Sequence, residues 1–276
     1  MFRRFTKFTI SVLCVSMVAS AVHARDTCAA VDFLAIDLSS VEGIDLVEAA
    51  LMLAYPSLVI VDGSVHFENG TRLPIGVDRG LLASDRLQNP TVREQFSQKY
   101  PLEFDLSERE KPWMDPGRAR NDAFFRNLYF TTKEDAAQTL EQVTYQDRAA
   151  FKVTRRQCVA EQLRAAFNEI QAIGPRMNVY FEKTGGSFNW RAIAGTDRLS
   201  AHSFGIAVDL NTDLGGYWRW SGMKEGEAGA YANRYPAEIV QAMERFGFIW
   251  GGKWHHFDGM HFEYRPEMIL FSRLTG

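Results

Sequence analysis

The chain reads as an α+β protein, a small and mostly antiparallel sheet flanked by helices and preceded by an N-terminal accessory region. Three observations lead there. Segments of helical period and short β-prone runs succeed one another with no repeating strand–helix–strand alternation, which argues against a parallel, doubly wound sheet. The β-prone runs are short and bounded by Gly, Pro, Asn and Asp, as hairpin strands are. The chain is 46% apolar, and the roughly 250 residues left after a candidate leader suffice for one core, or one core plus an accessory lobe.

The elements follow in order. Met1-Phe-Arg3-Arg4-Phe-Thr-Lys7, an apolar run from Phe8 to Val22, and Val22-His23-Ala24 form a basic, apolar and small-residue succession. We read residues 1–24 as a signal peptide, which places the mature chain in the periplasm or outside the cell. The apolar run is shorter than the ~20 residues of a spanning helix, and no second one exists, so no membrane span is expected in the mature chain. Cys14 leaves with the leader. Cys28 and Cys158 then form a disulfide or stay as two buried thiols, and an oxidising compartment favours the bridge.

Val41, Ile44, Val47, Ala50 and Leu51 recur at helical spacing between Ser40 and Ala54, and Tyr55-Pro56 ends the pattern. Leu58–Val61 and Ser64–Phe67 flank Asp62-Gly63 as a hairpin does. His66 sits there as a cross-strand or surface residue. Residues 84–120 are rich in charge and turn signals: Asn89-Pro90 opens a short helix and Asp115-Pro116-Gly117 marks a turn. An amphipathic helix is predicted from Arg155 to Ile173, closed by Gly174-Pro175. Asn178–Phe181, Gly205–Leu210, Phe248–Trp250 and His261–Tyr264 read as strands, Pro236–Phe246 as a helix with Gly247 beyond it, and Pro266 opens a last helix. The organisation is thus leader 1–24, accessory region 25–150 and a domain at 151–276.

A formal net charge of −3 and the lack of a basic run exclude nucleic acid as an expected partner. Arg118-Ala-Arg120 can still meet an anionic substrate.

Four of the five histidines beyond the leader lie between positions 202 and 261, with a carboxylate near each group of them. Two imidazoles plus one carboxylate are a common catalytic zinc set, since they leave the fourth tetrahedral position open. His202 and Asp209 suit a loop running into a strand. Asp258 stands three residues before His261 and is the first choice for a general base. Glu263, two residues beyond His261 on the same strand face, competes for that role or orients the His261 ring. Gly205 and Ala207 would let the backbone pack closely beside a metal. Neither His255 nor His256 is expected as a primary ligand, though one could hydrogen-bond a tetrahedral intermediate. Arg191 either holds a substrate carboxylate or oxyanion, or pairs with Asp197. Trp190, Trp218, Trp220, Trp250 and Trp254 could wall a cleft.

Ser200-x-His202-x-x-Gly205-x-Ala207-x-Asp209, then Gly247-Phe248-x-Trp250-Gly251-Gly252-x-Trp254, then Asp258-x-x-His261-Phe262 together resemble the VanY-type D-alanyl-D-alanine carboxypeptidases. These zinc peptidases are related to VanX dipeptidases and to L-alanyl-D-glutamate endopeptidases. The resemblance covers roughly residues 155–265. It implies Zn2+ held by His202, Asp209 and His261, Asp258 as general base, Arg191 as substrate arginine, and peptidoglycan stem peptides as substrates. The most direct expectation is D-Ala-D-Ala carboxypeptidase activity; an L-alanyl-D-glutamate-type endopeptidase, or a non-catalytic cell-wall binding protein with the same fold, are the alternatives. Oligomeric state is not encoded in any of these motifs.

Overall fold

The computed structural model describes residues 28–193 and 196–276; the expected signal peptide lies outside them. Helix α1 (Leu46–Ala54) begins later than its apolar spacing predicts. Gly43 adopts a left-handed φ of 81° and interrupts the run, after which the Asp45 side chain caps the helix by accepting from the N–H groups of Val47 and Glu48. Strands β1 (Val59–Val61), β2 (Ser64–His66) and β3 (Arg72–Pro74) form an antiparallel meander. Asp62 and Gly63 between the first two both have positive φ, as a type I′ turn requires. Helices α2 (Ala83–Arg86), α3 (Asp122–Leu128) and α4 (Lys133–Thr139) follow. The helix expected to open at Asn89-Pro90 is a 3-10 turn at Arg93–Phe96.

Strands β4 (Leu140–Tyr145) and β5 (Ala149–Thr154) make a hairpin that the sequence reading did not anticipate. Its signal was present, because Val143, Tyr145, Phe151 and Val153 alternate with exposed residues and line one buried face. The 150/151 boundary therefore falls inside β5. Helix α5 (Val159–Ile173) buries Val159, Leu163, Ala166, Phe167 and Ile170. A disulfide joins Cys158 at its start to Cys28.

The strand expected at Asn178–Phe181 is instead the end of a 3-10 helix, Pro175–Phe181. Pro175 sets helical φ after Gly174, and Phe181 becomes buried against Tyr145 and Phe167. Burying such a ring contributes roughly 1.5–3 kcal/mol, and β-propensity is context-dependent enough to yield to burial of that size. The strand that does form, β6 (Thr184–Gly186), has little β-propensity and exists through its pairing with β7 (Ala207–Asn211). After α6 (Thr212–Gly215) and α7 (Ala237–Arg245), strands β8 (Phe248–Trp250) and β9 (His261–Tyr264) complete an antiparallel sheet of order β6-β7-β9-β8.

Helix α8 (Pro266–Leu274) packs against α1, and α5 packs against α7 and β4. One hydrophobic core consequently runs from Phe33 to Leu270 through both parts of the chain. No helix among the described residues is long and apolar enough to cross a membrane.

Candidate metal centre

Asp209 and His261 are direct partners across the β7–β9 pair. Such antiparallel partners share a face with Cβ atoms ~5 Å apart, so the register alone brings the two side chains together. His261 Nδ1 lies 2.9 Å from Asp209 Oδ1. His202 enters from the 3-10 turn Ala201–Phe204 just ahead of β7, and its Nε2 lies 3.2 Å from His261 Nδ1 and 3.4 Å from Asp209 Oδ1. One ligating atom from each residue lies within 4.8 Å of the others.

Two glycines shape this corner. Gly205 ends the His202 turn at φ 68°, and a Cβ there would lie 2.9 Å from the Thr154 backbone nitrogen. Its smallness therefore serves packing on β5 rather than close approach to a metal, which corrects the expectation. Gly185 in β6 is the glycine that makes room at the site, because a Cβ there would lie 2.7 Å from the Asp209 Cβ.

The donor set fits a cation. His202 Nδ1 is 2.6 Å from the Ser187 carbonyl oxygen, which can only accept, so Nδ1 carries the proton and Nε2 presents a lone pair. His261 Nε2 is 3.1 Å from Glu263 Oε2, so it carries the proton and Nδ1 presents the lone pair. Two lone pairs and a carboxylate oxygen thus converge with no donor between them. Two imidazoles and a carboxylate suit a catalytic metal with a fourth position to spare. The same demand for positive charge appears in the protonation of the bare cluster. Burial opposes charge on His261, yet its contacts with Asp209 and Glu263 outweigh that and push its pKa up to about 10. Burial would raise Asp209, but His202 and His261 hold its carboxyl well below the usual range.

Glu263 is 0% exposed and saturated. Its Oε2 also accepts from Arg120 at 2.8 Å and its Oε1 from Arg265 at 3.1 Å. Arg265 in turn donates to the Gly117 carbonyl and to Glu267, which accepts from the Tyr55 hydroxyl of the accessory region. Although burial works to raise it, Arg120 foremost, then His261 and Arg265, hold the Glu263 carboxyl well below its ordinary range. A carboxylate so committed orients His261 and is a poor proton acceptor.

Asp258 has the opposite character. Its Oδ1 is buried without a hydrogen-bond partner among the described residues. Burial, against the pull of His261, pushes its carboxyl up to about 6. Hydrogen bonds from the Asp258 N–H to the Gly251 carbonyl and from the His261 N–H to the Asp258 carbonyl fix it beside the cluster.

Neither neighbouring histidine keeps a free ring nitrogen. His255 bonds the Arg109 carbonyl and the Ala228 N–H; His256 bonds Asp115 Oδ2 at 2.6 Å and accepts from the Gly226 N–H at 2.8 Å. Neither belongs to the group of side chains that converges at His202, Asp209 and His261, although His256 lines the adjoining cavity.

The cluster and Asp258 open into a cavity of about 160 Å³ whose wall includes Arg118, Arg120, Arg191 and Arg198. Of the tryptophans, Trp218 and Trp254 line it; Trp250 is core, Trp190 packs at the core's edge and Trp220 is exposed. Arg191 reaches the cavity, and among the described residues it forms no ion pair with Asp197. Sequence reasoning missed Gly185, Ser187, Arg198 and Arg265. Nothing in the local sequence marks them, since each acts through a contact made by folding.

A family model described as D-alanyl-D-alanine carboxypeptidase matches residues 194–264. The matched stretch contains His202, Asp209, Asp258, His261 and Glu263, and supports a peptidase of that type at the level of the family. No curated protein and no solved structure matches the chain.

Proposed function

We propose that the protein is a zinc-dependent D-alanyl-D-alanine carboxypeptidase of the VanY type, acting on peptidoglycan stem peptides in the periplasm or outside the cell. The observation that carries this reading is the convergence of three metal-seeking acceptor atoms beside an unpartnered, buried carboxylate. That is the apparatus for hydrolysing an amide: a place for a Lewis acid and a base within reach of it.

His202 through Nε2, His261 through Nδ1 and Asp209 through Oδ1 would hold the zinc ion. When bound, it would polarise the scissile carbonyl and acidify water. Ser187 and Glu263 keep the two imidazoles in the tautomers that ligate. Asp258 takes the proton of the attacking water and returns it to the leaving amine. Burial, with no hydrogen-bond partner on Oδ1, raises the Asp258 carboxyl above its ordinary range, which makes it a better proton acceptor than the arginine-held Glu263. Trp218 and Trp254 give the cavity part of an apolar lining, and the arginines give it a positive wall.

The test is mass spectrometry of defined pentapeptide muropeptides after incubation with the zinc-loaded mature chain, beside His202→Ala. Loss of one D-Ala with the wild type alone supports the reading. Cleavage between L-Ala and D-Glu would replace it with an endopeptidase, and no cleavage would favour a cell-wall binding protein.

A further inference from the structure

We infer that the Tyr217 hydroxyl is a further catalytic group, a hydrogen-bond donor to the oxygen that gains negative charge when water attacks the scissile carbonyl. The inference rests on the carboxypeptidase reading and gives that charge a neutral donor from the protein.

Tyr217 stands directly across an antiparallel bridge from Asp258. The Trp218 N–H donates to the Phe257 carbonyl at 3.0 Å and the Gly259 N–H to the Gly216 carbonyl at 2.9 Å, one bond on each side of the pair. This is the narrow, non-hydrogen-bonded kind of pair, in which facing Cα atoms lie only ~4.5 Å apart and the side chains share a face. Glycine makes the approach possible, since a Cβ on Gly259 would strike the Gly215 carbonyl. The phenol is thereby held beside the proposed base, and both residues line the metal-centre cavity. Its ring is braced edge-on by Trp218 and Trp220, with centroids 6.2 and 5.9 Å away.

The hydroxyl is uncommitted: among the described residues it takes part in no hydrogen bond, and Asp258 Oδ1, an unspent acceptor on the same wall, receives none from it. Burial, then the charge of Asp258, raises the phenol's pKa, so the group stays a neutral donor. An O–H already in place where charge develops stabilises the transition state more than the ground state.

The other donors of the wall are placed differently. Arg120 is committed to Glu263 and to the Leu199 carbonyl. Arg118 has Asp115 at 3.6 Å and lies over the Trp254 ring. Arg191 is exposed. Arg198 and Trp218 do hold buried N–H groups without partners, and Trp218 packs with Ala228 and Phe257. Neither of them stands opposite the base, as Tyr217 does.

Tyr217→Phe in the full mature chain removes the hydroxyl and keeps the ring. With the zinc-loaded protein and a stem pentapeptide, kcat should fall about 10²–10³-fold while KM stays within about threefold. Zinc affinity and unfolding temperature should match those of the wild type. Calorimetry with a phosphinate isostere of the terminal D-Ala-D-Ala bond, whose tetrahedral anionic centre resembles the attacked carbonyl, needs no turnover. Its affinity should drop by about 10-fold or more in Tyr217→Phe, while that of the tetrapeptide product is unchanged. A kcat within about threefold of the wild type, a loss confined to KM, or phosphinate binding that is absent or equal in the two proteins overturns the inference. So does a kcat loss that appears in folded Trp218→Phe in place of Tyr217→Phe, which would make the indole the donor. No turnover by the wild type would instead sink the carboxypeptidase reading, and the phosphinate comparison would then decide for or against the donor.

Discussion

Replacing Glu263 with glutamine should separate positioning from proton transfer at this site. The native carboxylate accepts from Arg120 at 2.8 Å, Arg265 at 3.1 Å and His261 at 3.1 Å, with no exposure to water. Glutamine keeps the shape and one acceptor oxygen, but turns an NH2 group towards a donor and leaves two buried guanidinium groups short of one negative charge. Breaking a buried ion pair on one side costs about 3–5 kcal/mol, and the retained oxygen argues for the lower end, about 3 kcal/mol. At ~2–4 °C per kcal/mol for a domain of this size, the metal-free chain should unfold about 6–12 °C lower. His261 also loses the anion that fixes its tautomer, so zinc affinity should fall about 10–100-fold. Thermal unfolding in chelator gives the first number and zinc competition against a fluorescent chelator gives the second. An unfolding temperature within 2 °C of wild type (~0.5 kcal/mol) together with unchanged zinc affinity would refute the assignment of Glu263 as the orienting group.

Asp258→Asn should do the reverse, lowering kcat by about 10²–10⁴ while zinc affinity and unfolding temperature hold, measured on the pentapeptide substrate; retained turnover would remove Asp258 as the base. Gly185→Ala should drive a methyl group into Asp209, 2.7 Å from its Cβ, and lower zinc affinity by about 10-fold or more, an effect absent if β6 can shift freely. Reducing the Cys28–Cys158 bridge, which spans 130 residues, should destabilise the chain by about 2–4 kcal/mol, and unfolding curves that coincide with and without reductant would contradict this. Glu94 is held at about 2, chiefly by its hydrogen bonds with Arg79, so it contributes stability above its unfolded value of ~4.5 that is lost as the pH falls from there towards 2. Because Arg79 is itself 40% exposed, the contribution is about 1–2 kcal/mol, and Glu94→Gln should flatten acid unfolding over that window in a denaturant titration.

What was legible in the sequence and what was not divides along physical lines. His202, Asp209, Asp258 and His261, which the structure gathers round one cavity, could be picked out because the proposed metal ligation and proton transfer demand particular side chains, and β7 and β9 announce themselves by apolar runs around those residues. The same local logic found α5, α7 and the Asp62-Gly63 turn. It failed for β6, a Thr-Gly-Gly strand that forms only because β7 offers it backbone partners, and for Asn178–Phe181, where the burial of Phe181 overrode strand propensity. The β4–β5 hairpin was a different miss, since its alternation was visible and lay unread across a presumed boundary. Glu263 was left open between two roles, and its partners favour one of them: Arg120 from a distant segment and Arg265 two residues on make it an orienter, where a lone carboxylate at the same position could have served as a base.

Those partners change how the accessory region should be understood. Tyr55, Gly117, Arg118 and Arg120 all precede the stretch that carries the candidate metal ligands, yet each touches its charge network or its cavity. Without Arg120 the Glu263 carboxylate would lose its shortest contact; without the Gly117 carbonyl, Arg265 would lose an acceptor while remaining fully buried. Asp115, in the same turn, fixes His256 on the cavity wall. The 194–264 stretch thus holds the atoms that would bind the metal, while Arg120 before it and Arg265 after it, the latter bonded to the Gly117 carbonyl, supply the charges that hold Glu263 against His261. The accessory region is therefore part of the site's electrostatic frame, and the shared core from Phe33 to Leu270 is what holds that frame in register.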